Sequence, residues 1–225
     1  MILLAIDTAS ALCAACVYDS DADRELGRSV LDLGKGHAEH LMAVVDEALA
    51  QAAVGFDALG RIVVSVGPGS FTGVRVGVAT ARGFALALNI PAVGVTTLEA
   101  VAAETRQSFA GKRIMVTLDG GRGEINVGFF DETGDQVGKP LVTNLDEAAR
   151  LATAHDGVIA GSAAAMVAGA ADRTFPTGST GATADICVYA RLGAAKAVGE
   201  KPKPLYLREA DAKPQAGFVL PRIQS

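Results

Sequence analysis

Seven residues between a β-branched run and a small-residue helix carry the most specific chemical signal in this chain. They are Gly67-Pro68-Gly69-Ser70-Phe71-Thr72-Gly73, within VVSVGPGSFTGVRVGVATARGFALAL at 63–88. A glycine-rich loop at a helix start can cradle phosphate through its backbone N–H groups. The P-loop pattern also needs a lysine directly after its last glycine, to reach the terminal phosphates. Here Gly73 is followed by Val74. The dinucleotide pattern Gly-x-Gly-x-x-Gly fails by one residue, because the gap from Gly69 to Gly73 is too long, and no suitably placed acidic residue follows. A hydrolase elbow, Gly-x-Ser-x-Gly, fails because Gly69 stands directly before Ser70. Nothing marks His37, His40 or His155 as the base that such a serine would need.

The helix after the loop offers a different use. Gly73, Gly77, Ala81 and Ala85 recur every four residues and make one face of small side chains. Such a face lets another helix approach closely. Glycine inside a helix costs about 0.5–1 kcal/mol against alanine, so Gly77 and Gly83 need tight packing in return. The neighbour is either this chain's own sheet and its 36–53 helix or a helix of another protein, and the residues leave both open. His37 and His40, three apart near a helix start, are expected to share a face. Two imidazoles there could hold a metal, but the sequence places no third ligand. Polar residues at a helix start are the plainer reading. Cys13 and Cys16 have the spacing of half a metal site, yet residues three apart on a strand point to opposite faces, which favours structural thiols.

These residues must be positioned by an α/β framework. The chain has 225 residues, half of them apolar, with few aromatics and no Trp, so Ala, Val, Leu and Gly fill the core. A net charge of −5 and the lack of a Lys/Arg cluster argue against a nucleic-acid patch of its own. No apolar run reaches about 18 residues, so no transmembrane helix is expected. The apolar start lacks a basic region and is interrupted by Asp7, as in a buried strand and not a signal peptide. Three cysteines without a secretion signal suggest a reducing, cytoplasmic setting.

Strands are expected at 2–6, 13–19, 24–33, 61–66, 92–95, 112–119, 124–131, 138–144 and 157–161. Helices are expected at 36–53, 73–88, 96–105, 145–155 and 184–199. Residues 201–215 are too rich in Pro and charge for a helix and should run extended over the surface. An Asp follows the first strand of each half, Asp7 and Asp119, then comes a hairpin, then helices and strands. The element order repeats without sequence identity, which suggests a duplicated α/β unit with its boundary near residue 105.

Several stretches together resemble the TsaB (YeaZ) family over essentially the whole chain. They are IDTAS at 6–10, GHAEHL at 36–41, GPGSFTGVRVG at 67–77, AVGVTTLEA at 92–100, DGGRGEI at 119–125 and PLYLREADAK at 204–213. The resemblance implies an actin-like ATPase (ribonuclease H-like) fold. Two similar lobes would each hold a central mixed β-sheet flanked by helices. Residues 1–105 would carry the partner-binding helices, and 106–225 would end in an extended tail. The resemblance also implies a cytoplasmic, non-catalytic subunit needed to form N6-threonylcarbamoyladenosine at position 37 of tRNAs reading ANN codons. The implied partners are TsaD, the catalytic paralogue that transfers the threonylcarbamoyl group, and TsaE, an ATPase. tRNA would be met through the complex, no membrane would be involved, and the isolated chain would form a homodimer.

The same resemblance assigns residues. TsaD-like proteins bind a catalytic metal through a His-x-x-x-His pair, and the matching positions here are Thr97 and Val101. Valine cannot ligate and a neutral threonine hydroxyl is a poor ligand, so no metal is expected. The implied partner interface comprises His37, His40, Leu41, Val45 and Leu49 on one helix and Gly73, Arg75, Gly77 and Ala81 on the next. The GPGSFTG loop would then be a structural hinge capped by Ser70 or Thr72. In active members of the fold two hairpins hold the nucleotide phosphates. The matching residues, Asp7, Thr8 and Ser10 with Asp119, Gly120 and Gly121, would be a vestigial nucleotide site, with GSAAA at 161–165 as its adenosine-side turn. No cofactor is implied for the chain alone, while ATP fits at the level of the complex. DGGRGEI departs from the family's usual Asp-Ala-Arg-Arg-Gly-Glu, with Gly120 and Gly121 in place of Ala and Arg. Two rival functions are a kinase or phosphohydrolase of the same fold and a peptidase acting on the TsaD-type partner; the sequence offers the peptidase no nucleophile–base pair.

Overall fold

The structure is a computed structural model and describes residues 1–207. The strand Ile2–Asp7 (β1) is buried along almost its whole length, as a strand in the middle of a covered sheet must be. Leu12–Asp19 (β2) and Arg24–Asp32 (β3) return antiparallel on one side of it. Leu59–Ser65 (β4) and Ala92–Val95 (β5) join in parallel on the other, giving the order β3-β2-β1-β4-β5. The second sheet repeats this plan with one strand fewer. Ile114–Gly121 (β6), Glu124–Phe130 (β7), Gln136–Thr143 (β8) and Val158–Ala160 (β9) take the order β8-β7-β6-β9. Here too a three-stranded meander is followed by a strand parallel to its first member.

Alternation along β1, β2 and β4 divides the apolar residues between two layers. Leu4, Ile6, Cys13, Ala15, Val17, Ile62 and Val64 meet the helices His37–Ala52 (α1) and Phe71–Leu88 (α2) on the outer face. Leu3, Ala5, Ala14, Cys16, Tyr18 and Val63 face inward, in one core with the inner face of the second sheet. Two helices fill that middle layer, Thr97–Arg106 (α3) and Ile186–Ala195 (α6). Leu145–His155 (α4) and Ala164–Ala170 (α5) cover the far face of the second sheet, around Met115, Ile125, Val127 and Ile159. Residue 105 separates the strands of the two sheets but not their helices. α3 packs on β6, β7 and β9, whereas α6 packs back on β1, β2, β4 and β5.

Local chemistry sets most helix ends. Ser70 caps α2 by accepting from the Gly73 N–H. Thr96 and Glu99 form a reciprocal capping box on α3, and Asn144 and Asp185 cap α4 and α6. α6 stops at Ala195, four residues earlier than expected. Lys196 turns extended, and Arg61 Nη1 donates to the carbonyls of Gly193, Ala194 and Lys196 at 2.7, 3.0 and 2.9 Å. α5 was not expected: its AAMVAGA sequence has no polar face to reveal a helical period. Only Gly161 to Ala163 of the GSAAA stretch form a turn, since Ala164 and Ala165 already belong to α5. Residues 201–206 have no regular secondary structure, and Leu205 N–H donates to the Val66 carbonyl at 2.7 Å. The rest of the expected extended tail, with most of PLYLREADAK, lies outside the described residues. Among the described residues no helix is long and apolar enough to cross a membrane.

Candidate functional site

The glycine loop lies directly on the turn between β1 and β2. Ser70 N–H donates to the Ala9 carbonyl at 2.7 Å, and the Thr8 hydroxyl donates to the Gly73 carbonyl at 2.7 Å. A Cβ on Gly69 would run into the Ala9 carbonyl, and one on Gly73 into the Thr8 carbonyl. One on Gly77 would stand 2.5 Å from Thr8 Oγ1. Real Cβ atoms essentially never come closer than 3.0 Å to such atoms. The four-residue repeat of small residues is therefore the imprint of an internal contact, the first turn of the chain pressed against the start of α2.

Seven of the residues expected at a partner interface lie inside the chain. Gly73, Gly77 and Ala81 are buried on α2, and His37, Leu41, Val45 and Leu49 are buried on α1, all turned toward the first sheet. His37 and His40 do not share a usable face. His37 Nε2 lies 3.2 Å from the Leu12 carbonyl, while His40 is exposed. Arg75 is exposed as well, but engaged. Its guanidinium lies over the Phe71 ring, 3.6 Å from the centroid, and Nε donates to Tyr206 Oη at 2.7 Å. The outward face of the two helices consists of other residues. Met42 on α1 and Phe71 and Leu86 on α2 are exposed large apolar side chains, and Ala79 and Gly83 are exposed between them. These residues occupy the positions between the buried ones, so the same helical period gives both faces.

The first hairpin is equally committed inward. Asp7 is buried. Its carboxylate accepts from Ala9 N–H at 2.9 Å and from the Thr183 hydroxyl at 2.6 Å, and Thr183 lies 2.7 Å from Tyr189 Oη. Burial pushes the Asp7 carboxyl above the ordinary carboxylate range, against the lowering effect of the Thr183 and Ala9 hydrogen bonds. Thr8 is likewise buried, with its hydroxyl spent on Gly73. The Ser10 hydroxyl accepts from Leu12 N–H at 3.2 Å. Of the first-hairpin residues expected to face a phosphate, Asp7 and Thr8 thus lie inside the protein.

That burial makes a testable statement about pH. A carboxyl with a raised folded-state pKa gives stability below its unfolded pKa that is lost as pH rises through the folded value. At neutral pH the Asp7 charge is therefore a cost. Asn at this position can still accept from Ala9 N–H and can donate to Thr183. Asp7→Asn should raise stability at pH 7 by about 1 kcal/mol, and the gain should shrink toward pH 4. Urea unfolding at the two pH values measures it, and a variant less stable at pH 7 would contradict this account.

The second hairpin differs. Asp119, Gly120 and Gly121 are exposed. Asp119 N–H donates to Ser162 Oγ at 3.0 Å, and Gly121 N–H to the Asp119 carboxylate at 2.8 Å. Arg122 and Gly123 both have positive φ, as a tight two-residue hairpin turn requires. At the positions matching a metal pair, Thr97 and Val101 are fully buried. Thr97 Oγ1 faces Ser65 Oγ at 3.4 Å, and Val101 is part of the apolar core between the sheets. A group with two or more soft ligands lies elsewhere: Cys16, Glu25 and Cys187 have their ligand atoms within 4.8 Å of one another. Cys13 points to the opposite face of the sheet from Cys16.

Two sheets of repeated order, each opening with an Asp-terminated strand and a hairpin, with helices between and outside them, define the actin-like ATPase (ribonuclease H-like) class. A family model described as TsaD, tRNA N6-adenosine threonylcarbamoyltransferase, matches residues 32–201. The chain belongs to this family, as a relative of its TsaB (YeaZ) members. It is 34% identical over 223 residues to the uncharacterized protein Rv3421c of Mycobacterium tuberculosis, spanning 95% of each chain. It is 29% identical over 125 residues to the tRNA threonylcarbamoyladenosine biosynthesis protein TsaB of Escherichia coli, spanning 56% of this chain and 53% of that one. The chain thus spans about half the length of the TsaB-named relatives it matches. The solved structure of YeaZ from Pseudomonas aeruginosa superposes with a TM-score of 0.72 at 25% identity, over 87% of this chain and 93% of that one.

Proposed function

We propose that this chain is a non-catalytic subunit required for N6-threonylcarbamoyladenosine formation at position 37 of tRNAs reading ANN codons. It binds the catalytic paralogue TsaD and supports docking of TsaE. The relatives named TsaB supply the pathway. The observation that carries the non-catalytic reading is the first hairpin: Asp7 and Thr8 are buried and bonded within the chain, whereas the matching hairpin of active members of the fold holds nucleotide phosphate. Val101 in the apolar core supports it, because a metal there would have a hydrocarbon where the paralogue has imidazole.

The partner surface in this reading is the outward face of α1 and α2, with His40, Met42, Phe71, Arg75 and Leu86 on it. The same face serves a homodimer when the chain is alone. The exposed second hairpin, Asp119 to Gly121, keeps ATP in the scheme at the level of the complex. The test is reconstitution with TsaD, TsaE, ATP, threonylcarbamoyl-adenylate and an unmodified tRNA, read by nucleoside mass spectrometry. Product is expected only when this chain and TsaD are both present. Product from the chain alone would overturn the proposal, and ATP turnover by the chain alone would favour the kinase or phosphohydrolase reading.

A further inference from the structure

Cys16 and Cys187 come from opposite ends of the chain and meet in the middle layer. Cys16 is on the inward face of β2 and fully buried; Cys187 is the second residue of α6 and 6% exposed. Their sulfurs and a Glu25 oxygen lie within 4.8 Å of one another. The surroundings decide what such a cluster is for. Arg28 grips Glu25 through Nε at 2.6 Å to Oε1 and through Nη2 to Oε2, and its Nη1 donates to Asp185 at 2.7 Å. A dication would have to take Glu25 from this guanidinium and then sit beside it. Cys187 stands in the first turn of α6, on the positive end of the helix dipole, with its own N–H donating to the capping Asp185 carboxylate at 2.8 Å. The Cys187 thiol is held below its ordinary range by the neighbouring Cys16 thiol and by Arg191, against burial and the Glu25 and Asp185 carboxylates. Cys16, whose thiol donates to Glu25 Oε2 at 3.8 Å, is pushed up by its proximity to Cys187 and by burial. The two sulfurs are thus unequal: Cys187 is the more easily ionised and, at 6% against 0% exposure, the one a small oxidant reaches first. Cys13 is a built-in control, since it lies on the opposite face and burial beside Asp7 pushes its thiol up to about 11.

We propose that Cys16 and Cys187 form a peroxide-reactive dithiol, with Cys187 as the attacking thiolate and Cys16 as the resolving thiol. Cys187 attacks one oxygen of hydrogen peroxide; the S–O bond forms, the O–O bond breaks, and the departing hydroxide takes up a proton as water. Cys16 then attacks the sulfenic sulfur. The S–S bond forms, the S–O bond breaks, and the leaving hydroxide accepts the Cys16 proton as a second water. Two thiols lose two electrons to one peroxide. The low exposure selects an oxidant as small as peroxide over a bulky disulfide. The product ties β2 to α6, the helix whose Tyr189 holds the Thr183–Asp7 contact.

The test uses the full chain, reduced and then exposed to hydrogen peroxide under native conditions. Alkylation with iodoacetamide after denaturation and peptide mass mapping should find Cys16 joined to Cys187, lighter by two hydrogens, with Cys13 alkylated. In Cys16→Ser, dimedone should trap a sulfenic acid at Cys187. In Cys187→Ser, no adduct should form at Cys16. Arg191→Gln should slow the wild-type reaction several-fold. Three results overturn the proposal: both thiols of the wild-type chain alkylated after peroxide, a disulfide that includes Cys13, or Zn(II) bound by the reduced chain and lost in both serine variants. The wild-type mapping decides even where a variant fails to fold.

Discussion

Gly73→Val is expected to destabilise the monomer by about 3 kcal/mol or more, a large fraction of a typical domain's stability. The added Cβ meets the Thr8 backbone carbonyl, which cannot rotate away as a side chain would. That carbonyl belongs to the turn after the central strand of the first sheet. Relief means moving α2 outward, which breaks the Thr8–Gly73 hydrogen bond and uncovers Val74, Val78 and Ala81. Helix propensity works in the opposite direction, since glycine is the weaker helix former by about 1 kcal/mol. Gly83 separates the two effects within one helix. It is exposed and a Cβ there meets nothing within 4 Å, so Gly83→Ala should stabilise by up to about 1 kcal/mol. Chemical denaturation of both variants measures the pair. A Gly73 variant as stable as the parent would refute the internal role of the small-residue stripe.

The contrast between these glycines shows what was legible. Strand positions, most helix positions and the duplicated element order could be read because β1 and β4 are continuous apolar runs and α1 has a clear helical period. A cap at Ser70 or Thr72 was legible for the same local reason, and Ser70 supplies it. What a sequence does not give is the partner of a face. Gly73, Gly77 and Ala81 look the same whether a foreign helix or the chain's own first turn lies against them, because close approach asks for small side chains in both cases. Similarly, Thr8 and Ser10 advertise donors, but only the fold reveals that the Thr8 hydroxyl is spent on Gly73 and the Ser10 oxygen on Leu12. The meeting of Cys16 with Cys187 was hidden by distance along the chain. It depends on α6 crossing back to the first sheet, and nothing local in ICVYARLGAA states which sheet it will cover.

With the small-residue stripe packed on the first sheet, docking can be tested on residues that the monomer does not need. Leu86 is 79% exposed and Met42 is 47% exposed. Leu86 shares one side of α2 with Arg75, Ala79 and Gly83, all exposed, and α1 touches α2 beside them. A leucine on such a face gains by leaving water, and a carboxylate in its place would be buried without a partner. Leu86→Glu is therefore expected to weaken TsaD binding at least tenfold, about 1.4 kcal/mol or more. Stability of the free chain should change by no more than about 0.5 kcal/mol. Met42→Glu should act in the same direction, and both should dissociate a homodimer of the isolated chain. Calorimetric titration against TsaD, with thermal unfolding of each variant as the control, separates lost contact from lost fold. Unchanged affinity in both variants would move the partner surface off these helices, while leaving the inward role of Gly73 and Thr8 as it stands.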